Sequence, residues 1–208
     1  MSPVKRQPLL FFCPRFGSFL RMQHSSVTVG PCDGHRGCGA DIAMLAKDIP
    51  LFPVDRSCYL ADLAEARLAS PHRIGWAAIF LKAYGKIVQE NPALRSWFLP
   101  GLWPRIATTK HNVATLAVNR TDNDHEQLYW ARLHQPETKS LVEIQRFIDN
   151  CRTGPIEELF KRQRELELLP GFLRKAVLRW NHRSGSHKRC SRIGTFSLST
   201  LAGYGASN

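Results

Sequence analysis

The chain contains 208 residues, 43% of them hydrophobic, which is enough for one domain with a sizeable core. Lysine and arginine number 29 against 17 aspartates and glutamates, so the formal net charge is +12 at pH 7. No apolar run approaches the roughly 20 residues that span a bilayer, so no membrane-spanning helix is predicted. The six cysteines are too sparse for a disulfide scaffold, and reduced thiols in the cytoplasm are expected instead.

Residues 1–40 differ in composition from the rest of the chain. They contain five lysines and arginines but a single acid, Asp33, and no sustained hydrophobic periodicity. We interpret this segment as a disordered extension or a misassigned start. An organelle transit peptide is the alternative, because such peptides are arginine-rich and poor in acids. The domain itself is expected over residues 41–208.

Two helices are predicted at the start of this domain. Leucines recur at helical spacing over Leu60–Leu68, and a stronger helix is indicated over Ile74–Gln89. The second helix should end at Asn91, because proline at the next position disfavours helical geometry there. It is apolar on nearly every side and should be buried. Its main apolar stripe consists of Trp76, Ile79, Phe80, Ala83 and Ile87.

Two strands follow. Val113–Val118 is a short apolar run typical of a strand covered on both faces, and Leu128–Leu133 is a second candidate. The polar stretch Thr121–Glu126 separates the two runs. A hairpin is therefore predicted.

The second half of the domain is predicted to be mainly helical. Ser140 and Glu143 form a capping box that starts a helix with Leu141, Ile144 and Ile148 on its inner face. Further helices are expected from Pro155 to Pro170 and over Phe172–Trp180, before a strand over Ile193–Ser199. This order of elements predicts an α+β fold, a mixed sheet with helices packed on one side.

Four segments, in chain order, resemble the catalytic cores of the dihydrolipoamide acyltransferases of 2-oxoacid dehydrogenase complexes. Trp76–Arg95 is similar to a family helix, His111–Val118 to a family strand, and Lys139–Ile144 to the start of a family helix. Gly194–Gly203 resembles the family's Gly-Thr-Phe-Thr-Ile-Ser segment. Chloramphenicol acetyltransferase shares this fold, so the resemblance implies a two-layer sandwich of sheet and helices.

The resemblance also implies a chemistry, the transfer of an acyl group between coenzyme A and a thiol or hydroxyl acceptor. The serine that stabilises the oxyanion in the family corresponds to Ser199, with Ser197 and Thr200 as the neighbours that a shifted alignment would select. Family members assemble as trimers, so a homo-oligomer is expected. No coenzyme-binding residue is identified from the sequence.

The sequence lacks the motif that carries the general base in the family. This base lies in a His-x-x-x-Asp-Gly motif, and none of the eight histidines is followed by Asp-Gly at that spacing. The residues 203–208 read as an open glycine-rich turn where a family member continues towards this motif. The expectation is therefore a domain that is incomplete at its C-terminus and inactive as given, the alternative being a non-enzymatic scaffold.

Two other features were weighed as binding sites. Cys32, His35 and Cys38 offer only three ligands without the paired spacing of a zinc site, so no metal is predicted. The basic run from Arg174 to Arg192 contains Trp180 and suits phosphates. It is open to three interpretations: nucleic-acid binding, contact with coenzyme A, or a solvated surface.

Overall fold

A computed structural model describes residues 37–199, apart from residues 48, 50, 51, 55, 101, 123, 124 and 187. All of these residues belong to one compact unit of the chain, Cys32–Asn208. The extension expected over residues 1–40 lies almost entirely outside them. Within the described part, no helix is long and apolar enough to cross a membrane.

The described residues form eight α-helices and five strands. The helices are α1 Gly37–Ala46, α2 Ala61–Ala69, α3 Trp76–Glu90, α4 Leu141–Thr153, α5 Ile156–Leu159, α6 Lys161–Glu167, α7 Gly171–Arg183 and α8 Lys188–Ile193. The strands are β1 Ser96–Leu99, β2 Arg105–Thr108, β3 Val113–Asp122, β4 His125–His134 and β5 Phe196–Leu198. A short 3₁₀ turn, Pro92–Arg95, follows α3.

Strand β3 is the centre of a three-stranded mixed sheet. It pairs antiparallel with β4, with Asp122 opposite His125, which confirms the predicted hairpin and extends both strands. On its other side β3 pairs parallel with β5, with Thr115 opposite Ser197. A separate antiparallel hairpin, β1–β2, was not predicted, because its runs of four residues are too short for a periodic signal.

One face of the sheet forms the hydrophobic core against α3 and α4. The packed side chains include Leu116 and Tyr129 from the sheet, Leu81 from α3 and Ile144 from α4. Side chains alternate between the faces of a strand, so the intervening residues point to the opposite face, where α1, α6, α7 and α8 enclose a cavity. The predicted α+β class is confirmed, but helices cover both faces of the sheet and not the single face predicted, because the residues between the core positions of β3 and β4 also face packed helices.

The buried face of α3 differs from the predicted stripe. Its buried residues are Ala78, Leu81, Gly85 and Val88, whereas Phe80, Tyr84 and Ile87 remain 41–52% exposed. A methyl group added at Gly85 would lie 2.9 Å from the Pro136 ring. The small residues therefore face the domain, because only they allow the loop after β4 to approach this closely.

The capping box of α4 is confirmed. The Glu143 backbone N–H donates to the Ser140 hydroxyl over 3.2 Å, and the Ser140 backbone N–H donates to the Glu143 carboxylate over 2.7 Å. Ile144 and Ile148 are buried as predicted. Leu141 is 36% exposed, so its assignment to the inner face was wrong.

The helix predicted from Pro155 to Pro170 is divided into α5 and α6 at Phe160. The Phe160 side chain is buried, and its ring lies 4.7 Å from the ring of Tyr129 on β4. Its backbone leaves helical geometry, with φ −119° and ψ 20°. Anchoring of this ring in the core accounts for the break.

Candidate functional site

The segment that carries Ser199 begins at a glycine with special geometry. Gly194 has φ +92°, and its N–H donates to the Cys190 carbonyl over 2.8 Å at the end of α8. A side chain in this conformation is strained, whereas glycine is not. A methyl group there would also lie 2.2 Å from the Thr115 hydroxyl oxygen. Only glycine fits where the chain turns from α8 into β5.

Threonine side chains then fix β5 against β3. The Thr195 hydroxyl donates to the Val113 carbonyl and accepts from the Val113 N–H, both over 3.1 Å. The Thr195 N–H donates to the same carbonyl over 2.7 Å. The Thr115 hydroxyl donates to the Ile193 carbonyl over 2.8 Å. The Gly-Thr pair of the motif thus sets the start and register of the strand.

The alternation of β5 separates its apolar and polar side chains. Phe196 and Leu198 pack against the core, with the Phe196 ring 4.8 Å from that of Tyr84. Ser197 lies on the opposite face and lines the cavity. Ser199 is exposed and directly follows the strand. Its hydroxyl is accessible to a bound group, and its oxyanion role remains a prediction.

Three histidines lie in clefts close to this segment. His182 lines the cavity, and its pKa is lowered by burial and then by the nearby Arg189 and Arg183 guanidinium groups. Both effects favour the neutral imidazole. His111 and His134 share a smaller cleft with Cys190, and the His111 Nδ1 atom lies 3.3 Å from the Gln135 amide nitrogen. His187 lies outside the described residues.

The cavity on the Ser197 face has a volume of about 370 Å³. Four arginines line it: Arg132 on β4, Arg162 on α6, and Arg189 and Arg192 on α8. The last two belong to the basic run from Arg174 to Arg192 that the sequence indicates, whereas Arg132 and Arg162 were not predicted to contribute to a site. Arg132 lies between the buried Ala131 and Leu133 on β4, and this alternation was the available signal.

The basic run of α7 and α8 is divided among three environments. Arg174 pairs with the buried Asp41 over 2.5 Å and so ties α7 to α1. The α8 arginines face the cavity. Arg179, Trp180 and Arg183 instead line an outer groove of about 380 Å³, in which Trp180 is 76% exposed. We call this feature the α7 groove.

The cysteines within the described residues give no sign of a metal centre. Cys32 and His35 lie outside the described residues, while Cys38 is buried in α1. Burial, followed by the nearby Glu167 carboxylate, raises the pKa of Cys38 to about 11, so the metal-binding thiolate is disfavoured. In the described part of the chain, no three His, Cys, Asp or Glu side chains are grouped as metal ligands.

Solved structures similar to this chain include two acyltransferase cores. The cubic core of the pyruvate dehydrogenase multienzyme complex shares 17% identity and a TM-score of 0.53, over 94% of this chain and 71% of that one. A probable dihydrolipoamide acetyltransferase from Listeria monocytogenes shares 19% identity and a TM-score of 0.51, over 88% of this chain and 68% of that one. No protein-family model and no curated protein matches the sequence. The chain therefore has the fold of the acyltransferase cores of 2-oxoacid dehydrogenase complexes.

Proposed function

We propose that the chain is an acyltransferase-type domain in which Ser199 stabilises the oxyanion, while these residues do not themselves provide the general base. The geometry of the Gly194–Ser199 segment supports this proposal most directly. Gly194 and Thr195 lock β5 onto β3 and leave Ser199 exposed where the strand ends. The surrounding fold is that of acyltransferase cores.

The proposed chemistry needs two groups. A base must remove the proton of the acceptor, and a hydrogen-bond donor must hold the oxyanion of the tetrahedral intermediate. A preorganised hydroxyl such as that of Ser199 is worth about 3 kcal/mol, or roughly 10²–10³ in rate. None of the eight histidines has the family's Asp-Gly context. The role that we propose for this chain therefore does not include removal of the acceptor proton.

The α7 groove fits the phosphate-bearing end of a coenzyme A thioester, the proposed acyl donor. The exposed Trp180 indole offers a face on which an adenine ring can stack. Arg179 and Arg183 line the same groove and suit phosphate groups, because guanidinium binds them with charge-assisted hydrogen bonds. The thioester supplies an activated acyl group when bound.

We further propose that the chain forms a homo-oligomer, a trimer as in the family it resembles, in the cytoplasm. One similar structure is itself the cubic core of a multienzyme complex. Helix α3 also presents partly exposed apolar side chains, Phe80 and Ile87, on its outer face. Size-exclusion chromatography with light scattering tests this proposal, and a monomer at micromolar concentration would contradict it.

The enzymatic part is tested by a binding measurement and a rate measurement. Purified protein should bind coenzyme A in a calorimetric titration but should not transfer acetyl groups from acetyl-coenzyme A to dihydrolipoamide above the buffer rate. Arg183→Gln should weaken binding about tenfold, because it removes a charged hydrogen-bond donor. Arg152→Gln, which removes an exposed charge from α4, is the matched control. Turnover that survives repurification would show that a base is present after all.

One rival function has support in the same groove. An exposed indole between arginines also suits a base of RNA or single-stranded DNA. Tight binding of an oligonucleotide, falling steeply with salt and lost in Trp180→Ala, would favour this rival if coenzyme A does not bind. If neither coenzyme A nor the oligonucleotide binds, a non-enzymatic scaffold role replaces both proposed functions.

A further inference from the structure

The cavity on the Ser197 face of the sheet is a second site, separate from the α7 groove. Its floor includes Thr115, Trp130 and Arg132 from the sheet, and its walls come from α1, α6, α7 and α8. The volume of about 370 Å³ falls within the usual size range of small-molecule sites. It is large enough for a ligand rather than a single water molecule.

The charge of this cavity is one-sided. Four arginines line it, and none of the described lining residues is acidic. Within the described part of the chain, the ion pairs involve Arg164, Arg174 and Lys175, none of which lines the cavity. None of the cavity arginines therefore forms an ion pair with a carboxylate among these residues, and Glu165 acts on Arg162 without forming an ion pair.

Two nearby acids, Asp41 and Glu167, are already engaged elsewhere. Asp41 accepts from Arg174 over 2.5 Å. Glu167 accepts from the side-chain amides of Gln127, over 2.5 Å, and Gln163, over 3.1 Å. Neither carboxylate turns into the cavity to neutralise the guanidinium groups.

Neutral groups hold the arginines in place. The Arg132 Nε atom donates to the Arg192 carbonyl over 2.6 Å, and Arg192 donates to the Asn181 side-chain carbonyl. Arg189 donates to the His182 carbonyl over 3.2 Å, and its guanidinium lies 4.6 Å from the centre of the Trp97 ring. These contacts orient the positive charges without compensating them.

The uncompensated charge has an electrostatic cost. Burial, and then the neighbouring Arg162, lowers the pKa of Arg132. The pKa of Arg162 is lowered by burial and then by Arg192, and a smaller effect of Glu165 opposes this shift. An anion between these groups would relieve both the desolvation and the mutual repulsion.

The rest of the cavity is apolar. Ile42 and Leu45 from α1, Leu166 from α6 and Leu178 from α7 line it opposite the arginines. We propose that this cavity binds a small amphipathic anion, a carboxylate or phosphate monoester whose head contacts Arg132, Arg162 and Arg192 and whose alkyl chain lies against α1. The site does not depend on acyl transfer or on the α7 groove.

The test uses four probes with the same alkyl chain and different heads: octanoate, octyl phosphate, octanol and octylammonium. Calorimetry with the full chain should detect binding of at least one anion and little binding of the alcohol or the cation. Fluorescence of Trp130, which lines the cavity, gives a second readout. The tighter of the two anions identifies the head group.

Arg162→Met is the main variant, because Arg162 is solvent-exposed at the cavity and its loss should not impair folding. Loss of one charge-assisted hydrogen bond should weaken anion binding about tenfold. Lys161→Met removes a positive charge from the adjacent exposed position of α6, outside the cavity, and should change binding less than about twofold. Arg132→Met, checked for folding by circular dichroism, should weaken binding at least as much as Arg162→Met.

Three results would overturn the proposal. Equal binding of octanol and octanoate would make the cavity an apolar site alone. Equal weakening by Lys161→Met and Arg162→Met would assign the effect to general surface charge. If neither octanoate nor octyl phosphate binds, the proposal that the cavity binds a small amphipathic anion is wrong.

Discussion

Replacement of Gly194 by alanine should destabilise the whole domain, although it adds a single methyl group. The φ angle of +92° is one that side chains rarely adopt, at a cost of about 1–3 kcal/mol. The new methyl group would also meet the Thr115 hydroxyl oxygen at 2.2 Å and the Val113 carbonyl oxygen at 3.1 Å. Something in the β3–β5 contact must therefore move.

The cost of that movement follows from the hydrogen bond that breaks. The Thr115 hydroxyl donates to the Ile193 carbonyl over 2.8 Å, and its displacement loses about 1 kcal/mol. With the backbone strain, the free energy of unfolding should fall by about 3 kcal/mol. At a typical urea dependence of about 2 kcal/mol per molar, the unfolding midpoint should drop by about 1.5 M.

Urea unfolding monitored by circular dichroism measures this shift. Gly171→Ala is the matched control, because the nearest side-chain atom to an added methyl there is 3.8 Å away and the position starts α7. The free energy of unfolding of Gly171→Ala should stay the same or rise slightly, since alanine stabilises a helix more than glycine does. A cost for Gly194→Ala as small as that of the control would refute the reasoning.

A double-mutant cycle separates strain from collision. Thr115→Ala removes the hydroxyl that the new methyl would meet, so the double variant should be less destabilised than the sum of the single variants, by about 1 kcal/mol. Additive costs would mean that the backbone angle alone is responsible.

Three further predictions concern other parts of the domain. Thr195→Val should lower the free energy of unfolding by about 1–3 kcal/mol because it leaves a β3 backbone N–H without its partner, whereas Ser199→Ala, at an exposed position, should change it by less than about 0.5 kcal/mol in the same urea assay. The backbone and side-chain hydrogen bonds of Ser140 lower the pKa of Glu143. The stabilisation by this carboxylate is therefore present above the ordinary glutamate pKa and is lost as pH falls through the lower folded-state value. In urea unfolding between pH 6 and 3, the free energy of unfolding should fall less in Glu143→Gln than in the unaltered chain. Among the four described free thiols, Cys58 is exposed and should react first with a disulfide reagent at pH 8, while Cys151, whose pKa burial raises to about 11, should react only on unfolding; fast labelling of Cys151 would show that the α4 face is open.

Local sequence was sufficient where neighbouring residues decide the conformation. The capping box of α4 joins Ser140 to a residue three positions away, and Pro92 limits α3 through its effect on the preceding residue. The β3–β4 hairpin follows from two apolar runs and the polar stretch between them. The strand predicted over Ile193–Ser199 is present as the shorter β5, Phe196–Leu198.

The tertiary structure alone decided features that depend on residues far apart in the chain. Composition could not orient α3, because apolar residues occupy nearly all its sides, and the close approach of Pro136 to Gly85 selects the small-residue face. The burial of Phe160 against Tyr129 interrupts a sequence with good helical character. No local pattern signals such contacts, because they depend on the shape of surfaces formed only after the chain has folded.

The arginine cavity is the most informative case. Arg132, Arg162 and Arg192 come from β4, α6 and α8, and the sequence between them carries no common motif. The sequence by itself determined the excess of positive charge and the alternation that turns Arg132 away from the core. Only the packing of α6 and α8 over the second face of the sheet decided that these three arginines share one cavity. Folding brings them together regardless of their separation along the chain.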